Sequence, residues 1–253
     1  DDLGEYLYAR HSKERTKAVQ GRGSKKGSGM DTKTANAILK KYRGTGIDKY
    51  AKEFYKEVTK KALDLKLEAG LIDKEQYDDL KGFYKNYVPL KGTAGRDEYS
   101  FDMGKGFSVS TTGIYFAEGR ESVAENPAAQ AIIDLQSAIV LSEKNRAMQS
   151  LYKFLEANPH SSWSVSGRRL YPIKGALDET GEPILRKKNL DVNQAAVYFD
   201  GKQKVITIKD KDLNEAIKKL GATGANRYLQ MYQTYFRAIN TQLSPSFIVT
   251  NFE

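Results

Sequence analysis

Residues 126–158, NPAAQAIIDLQSAIVLSEKNRAMQSLYKFLEAN, decide the fold because they predict one long helix. Asn126 is a residue type that caps helix N-termini, and Pro127 suits the first helical position, where a backbone N–H has no intrahelical partner. Pro159 predicts the end, since proline cannot continue a helix and pushes Asn158 out of the helical region. The sequence therefore predicts a helix that spans most of a domain.

The apolar residues of this helix cover most of its circumference. A row at helical spacing runs from Ala131 to Leu155, and four aliphatic residues widen it in the first half: Ile132, Ile133, Ile139 and Val140. A helix so nearly apolar is surrounded by other helices. The predicted fold class is mainly α, a helical bundle around one long central helix, with a small antiparallel β insert.

Consecutive polar residues interrupt the same helix at Glu143-Lys144-Asn145-Arg146. Buried polar groups must find partners, and they often fix the register of a helix or bind a neighbouring loop. The prediction is a buried polar network of Glu143, Asn145 and Arg146, with a functional site as the alternative.

Composition excludes several kinds of site. The chain has no cysteine, which excludes disulfides and thiolate chemistry, and its two histidines, His11 and His160, are too few for a histidine-rich metal site. No run approaches the roughly 18 to 20 apolar residues that span a bilayer. No metal, cofactor or small-molecule substrate is predicted. The chain starts without methionine and stops within an apolar run, so we expect a segment of a longer polypeptide.

The formal net charge of +9 favours polyanionic partners such as nucleic acid or anionic lipid headgroups, although solvated surface lysines explain it equally well. Positive charge is densest between residues 10 and 26, where Glu14 is the single acid. Contact with a phosphate backbone needs little more than such charge. The predicted nucleic-acid-binding residues are Arg10, Lys13, Arg15, Lys17, Arg22, Lys25 and Lys26.

Capping residues, glycines and prolines divide the chain into four regions. Residues 1–30 are predicted to form a basic helix and a flexible loop rich in glycine and serine. Residues 31–160 form the helical bundle, with helices starting at Asp31, Asp48 and Asp73 and a long irregular loop over 91–122. Residues 161–209 form the β insert, with Asp200-Gly201 as a hairpin turn, and residues 210–253 form C-terminal helices that continue beyond the segment.

The helix predicted from Asp73 carries an aromatic row of Tyr77, Tyr84 and Tyr87 before Val88-Pro89 ends it. Such rows are core or helix-contact surfaces in most proteins. A platform that stacks nucleic-acid bases would require these rings to be exposed.

Candidate catalytic motifs lack their companion residues. Glu121-Ser122 is like the Glu-Ser pair of lysozyme-like transglycosylases, but the downstream Gly-Leu-Met-Gln is missing. Ser150 to Lys153 matches S-x-x-K without the accompanying S-D-N and K-T-G. No catalytic residue is predicted.

Several stretches together resemble a known family: LYARHSKERTKAV, AGLIDKEQYDDLKGFYKNYVPLKG, ENPAAQAIIDLQSAIVLSEKNRAM and SPSFIVTNFE. They are similar to the α-rich associated domain of the very large polyvalent proteins of tailed phages, which are packaged in the capsid and ejected with the genome. Members of this family carry enzymatic domains elsewhere in the chain. The matching positions are Arg10 and His11, Tyr87 to Leu90, Asn126-Pro127, Glu143 to Arg146, and Asn251-Phe252. The loop at residues 21–29 departs from the family by being more basic.

This resemblance implies a non-catalytic structural and assembly segment of an internal virion protein that acts in genome ejection. Expected partners are sister copies, other virion proteins, packaged DNA and an anionic membrane surface during ejection. The expected location is the virion interior, with delivery into the host envelope or cytoplasm. One alternative is a nucleic-acid-binding module that uses residues 10–26. A second is a fragment of an enzyme that acts on cell wall or nucleic acid.

Overall fold

The computed structural model describes residues 2–91, 107–114, 119–177, 183–187 and 189–215. Its helices are α1 (Asp2–Gln20), α2 (Thr32–Lys41), α3 (Ile47–Phe54), a π-helical segment (Tyr55–Lys60), α4 (Lys61–Glu68), α5 (Lys74–Phe83) and α6 (Pro127–Ala157). Its strands are β1 (Trp163–Gly167), β2 (Leu170–Leu177), β3 (Pro183–Lys187), β4 (Gln194–Phe199) and β5 (Lys202–Ile208). The mainly α class with a small antiparallel insert is confirmed.

Helix α6 has the bounds that the sequence predicts. The Asn126 side chain accepts hydrogen bonds from the backbone N–H groups of Ala128 and Ala129, and the helix begins at Pro127. No residue between 130 and 142 is exposed. Every face of the central helix is therefore at least partly covered over this length.

Helices α1 and α2 pack side by side, with α2 running back along α1. Lys41 Nζ donates to Glu5 at 2.8 Å and Lys13 Nζ donates to Asn36 at 2.6 Å, so the C-terminal end of α2 lies near the start of α1. Leu7 is fully buried between them in the largest hydrophobic cluster. Asp31 caps α2 as predicted.

The other bundle helices differ from the prediction at their ends. Helix α3 starts at Ile47 instead of the predicted Asp48, because Gly46 in the left-handed conformation forms the turn that precedes the helix. Helix α5 starts after the predicted cap Asp73 but ends at Phe83, so the prediction that Tyr84 and Tyr87 are helical is wrong. Tyr84 has extended backbone angles.

Distant contacts explain this early end. The Glu14 carboxylate accepts hydrogen bonds from the backbone N–H and the side-chain amide of Asn86, at 3.1 and 2.8 Å. Val88 and Pro89, which follow Asn86 by two and three residues, are buried. Binding of residues 84–89 to α1 therefore replaces the last helical turn.

The β insert contains two separate antiparallel sheets. One has the order β1-β5-β4, and its β4–β5 hairpin turns at Asp200 and Gly201, both with positive φ, as the Asp-Gly pair predicts. The other, formed by β2 and β3, was not predicted. Asp210 caps a helical turn over residues 211–215. The C-terminal helices predicted after it lie outside the described residues.

The described parts of the irregular loop at 91–122 contact both the bundle and the insert. The Val109 N–H donates to Ala196 of β4, while Lys66 of α4 donates to the Gly113 carbonyl at 3.1 Å. Arg120 pairs with Gly27 through two backbone hydrogen bonds. These contacts place the loop between the two halves of the fold.

Two side-chain amides on α6 join the bundle to the β insert. Asn145 is fully buried; its amide donates to the carbonyls of Ala69 and Tyr198, and its Oδ1 accepts from the Tyr198 N–H at 2.8 Å. One turn later the Gln149 amide donates to the same two carbonyls. We call Asn145 and Gln149 the amide clamp. It bonds α6 to the end of α4 and to β4 at one point.

The prediction of a buried network at 143–146 is therefore correct only for Asn145. Glu143 and Arg146 pair with each other at the surface, with side chains 55% and 40% exposed. Arg146 also lies 3.7 Å from Glu68. Consecutive helical residues point in directions about 100° apart, so a single residue of this group faces the insert.

Replacing Asn145 with leucine is expected to lower the free energy of unfolding by about 2 to 3 kcal/mol. The Tyr198 N–H would lose its acceptor in a dry site, and an unsatisfied buried polar group costs about 1 to 3 kcal/mol. Urea unfolding followed by circular dichroism measures the change. Glu143→Ala is the matched control on the same helix and should change stability by less than about 0.5 kcal/mol. Equal effects of the two substitutions would contradict the clamp.

Candidate functional site

Arg10, the first residue of the predicted nucleic-acid-binding set, binds side chains of the chain's own helices. Its guanidinium forms an ion pair with Asp48 and lies over the rings of Tyr6 and Tyr55, at 5.7 and 5.8 Å from their centroids. The charge is thus used to join α1 to α3.

A second helix adds positive charge that the sequence analysis did not assign. The Lys13–Asn36 hydrogen bond brings the middle of α2 beside the second half of α1. Lys33 and Lys40 lie one turn on either side of Asn36, and Lys17 lies one turn beyond Lys13, so the four lysines share one surface. We call it the basic face: Lys13, Lys17, Lys33 and Lys40. All four are exposed, and none forms an ion pair within the described parts of the chain.

The glycine-rich loop at 21–29 extends this surface at one end. Arg22, Lys25 and Lys26 are exposed. The end of the loop is held in place, because Ser28 is buried, accepts a bond from Tyr8 Oη at 2.8 Å and donates its N–H to Thr16. Gly29 has a φ of 83°, and a Cβ there would lie 2.0 Å from the Ser122 carbonyl. Only glycine fits this close approach.

Arg15 lies on the other side of α1, beside a cluster of aromatic rings. His11 is fully buried there, and its ring meets Tyr84 and Tyr87 edge-on, with centroids 4.9 and 5.5 Å away. Neither nitrogen of His11 has a hydrogen-bond partner among the described residues; the Glu14 carboxylate is 3.7 Å from Nδ1. Burial lowers the pKa of His11, Glu14 opposes this shift, and the charge of Arg15 adds to it.

The rings around His11 were expected in the core. Tyr77 is buried as predicted, but Tyr87 is 40% exposed and the neighbouring Phe83 is 63% exposed. Tyr84 is half-buried between them. We call Phe83, Tyr84 and Tyr87 the aromatic ledge. The early end of α5 turns these side chains outward, and the helical period alone could not reveal this.

Lys66 is the most deeply buried amine with a perturbed pKa in the described chain. It is 7% exposed, and burial lowers the pKa of its ammonium group to about 8, although Asp134 opposes the shift. Its Nζ is occupied by the Gly113 carbonyl. The contact fastens the irregular loop to α4, and we assign Lys66 this structural role.

Other sites suggested by motif lie apart or at the surface. Glu121 is exposed, as is Ser150 on α6. No group of three or more metal-ligating side chains occurs in the described ranges. Within the same ranges, no helix has the length and apolar character to cross a membrane.

We expect acid to destabilise the protein through His11. The unfolded chain binds a proton on this residue near pH 6.5, whereas the buried ring resists protonation. The free energy of unfolding should therefore fall as the pH drops below about 6.5, by at most about 1.4 kcal/mol per pH unit. Partial burial raises the pKa of Glu14, but the neighbouring His11 ring and the hydrogen bonds from Asn86 lower it by more, so the contribution of Glu14 is lost at lower pH.

Urea unfolding at intervals from pH 7.5 to 5 measures this slope. His11→Phe keeps a ring in the cluster but removes the titrating group, and should flatten the slope in this range. His160→Gln is the control, because His160 is the other histidine and is exposed. A slope that is unchanged in His11→Phe would contradict this assignment.

Comparison with protein-family models, with curated proteins and with solved structures gives no match for this chain.

Proposed function

We propose that this chain is a structural and assembly segment of a large internal virion protein of a tailed phage and is non-catalytic in itself. One observation carries the proposal: several positions at which the sequence resembles the polyvalent-protein family hold the elements of this fold together. Asn126-Pro127 starts the central helix, and Glu143 to Arg146 contains the clamp residue Asn145. Arg10 and His11 join α1 to α3 and to the aromatic ledge.

Because these residues bond one element of the fold to another, they support a structural role for the segment. A catalytic site would place its distinctive side chains around a substrate, but here they bond to the chain's own backbone or stack on its rings. The matching pair Asn251-Phe252 lies outside the described residues. The segment would therefore act by presenting surfaces to sister copies and other virion proteins inside the capsid.

The protein would occupy the virion interior beside packaged DNA and would enter the host envelope or cytoplasm with the genome. The exposed lysines would contact the DNA and, during ejection, anionic membrane surfaces.

Peptides of this chain should be present in purified phage particles and should resist protease until the capsid is opened. Quantitative mass spectrometry of intact and opened particles tests this, with a tail protein as the exposed control. Absence from particles, or digestion in intact ones, would reject the proposal. Chemical cross-linking in the same particles should yield links between identical peptides if sister copies touch.

The basic face favours a second candidate function, which is binding of the nucleic-acid backbone. Four exposed lysines on two packed helices, without carboxylate partners in the described chain, match the repeated charge of a duplex. The exposed loop cations Arg22, Lys25 and Lys26 extend the same surface.

Salt dependence tests this second candidate. Four phosphate contacts should make the slope of the logarithm of the association constant against the logarithm of salt concentration more negative by about 3.6. Replacing Lys13, Lys17, Lys33 and Lys40 together with glutamine should remove this part of the slope. The control removes the same charge from four lysines that are held in ion pairs: Lys52, Lys56, Lys60 and Lys74. Equal losses in both variants would show a general charge effect and contradict a specific face.

A further inference from the structure

The aromatic ledge has two rings available to a ligand. Phe83 is 63% exposed and Tyr87 is 40% exposed, and Tyr84 lies between them with ring centroids 6.3 and 5.9 Å away. The two exposed rings thus belong to one continuous series. Isolated exposed aromatics are common on protein surfaces, but three adjoining rings form an apolar patch that calls for a partner.

The ledge is held rigid from beneath. His11 contacts both tyrosine rings from the buried side, and Glu14 fixes Asn86 between them through two hydrogen bonds. Val88, which follows directly, is completely buried. A ligand would therefore meet rings that are already in place, so binding would cost little ordering entropy.

Positive charge lies beside these rings. Lys85, two residues after Phe83, is exposed and forms no ion pair in the described part of the chain. Lys81 lies on another face of α5, with its amine over the ring of Tyr77. The Arg15 guanidinium is close enough to Tyr87 for the two groups to interact electrostatically. Two carboxylates nearby are occupied, because Asn86 binds Glu14 and Lys91 pairs with Asp134 at 2.8 Å, whereas Asp79, one turn before Phe83 on α5, is exposed.

We propose that the aromatic ledge binds single-stranded nucleic acid, with bases stacked on Phe83 and Tyr87 and phosphates contacted by Arg15 and Lys85. Flat apolar rings with cations beside them fit a ligand that has aromatic bases and an anionic backbone. A duplex keeps its bases stacked inside and offers only the backbone to such a surface. The ledge should therefore prefer single strands, whereas the basic face contacts backbone alone.

The test measures fluorescence anisotropy of labelled 20-nucleotide oligo-dT and oligo-U with the full chain. Phe83→Ala and Tyr87→Leu should each weaken binding by about tenfold, within the range for loss of one stacked base. Phe154→Ala removes a ring of similar exposure, 59%, from α6 and should leave the affinity unchanged. Circular dichroism melting checks that Tyr87→Leu remains folded, and Phe83→Ala removes a mostly exposed ring.

A Phe83→Trp variant gives a direct reading of stacking. Its tryptophan fluorescence should be quenched by oligo-dT or oligo-U more strongly than that of the wild type, whose one tryptophan is Trp163. Binding of one oligonucleotide and not the other would identify DNA or RNA as the ligand.

Three results would overturn the proposal: no binding of either oligonucleotide, equal affinity for a duplex of the same length in the variant in which Lys13, Lys17, Lys33 and Lys40 are replaced with glutamine, or unchanged affinity in both ledge variants. This inference does not depend on the virion proposal. It is also separable from backbone binding by the basic face, because replacing Lys13, Lys17, Lys33 and Lys40 would weaken duplex binding without removing the preference for single strands.

Discussion

The hydrogen bonds from the Asn145 amide to the backbone of Ala69 and Tyr198 are the interaction on which the rest of the structure depends. The surfaces that meet here are apolar, and hydrophobic burial has no preferred direction, so helices and sheet could slide on one another at little cost. A buried amide with three geometrically defined bonds removes that freedom. Gln149 repeats the constraint one turn later, so α6 has one register against both neighbours.

The hairpin turn of the β insert lies at the same place and adds a second constraint. The Gly201 N–H donates to the Gly70 carbonyl, and a Cβ on Gly201 would lie 3.0 Å from the Asp73 backbone nitrogen. The turn between α4 and α5 and the turn between β4 and β5 are therefore in backbone contact. This close approach positions the start of α5, and through α5 it positions the aromatic ledge.

Local signals in the sequence were enough to predict α6 and the β4–β5 hairpin, because caps, prolines and the Asp-Gly turn act within a few residues. The end of α5 could not be predicted, since Glu14 determines it from 72 positions away. The candidate site likewise depends on contacts between residues that are distant in the sequence. Nearness in sequence grouped Arg10 with the exposed lysines, whereas the fold pairs it with Asp48 and adds Lys33 and Lys40 from α2. Polar residues at 143–146 indicated a partner, but the facing direction of each residue had to come from the structure.

The geometry of α1 keeps the two candidate nucleic-acid surfaces apart. At about 100° per residue, Arg15 lies roughly 200° around the helix from Lys13 and from Lys17, so the ledge and the basic face point in nearly opposite directions. A straight duplex that contacts the lysines cannot reach Phe83 or Tyr87. Because the packed helix between the two surfaces is rigid, a ligand on one has no direct contact with the other, and substitutions on the two surfaces should have additive effects. The same chain could therefore hold a duplex on one side and a single strand on the other.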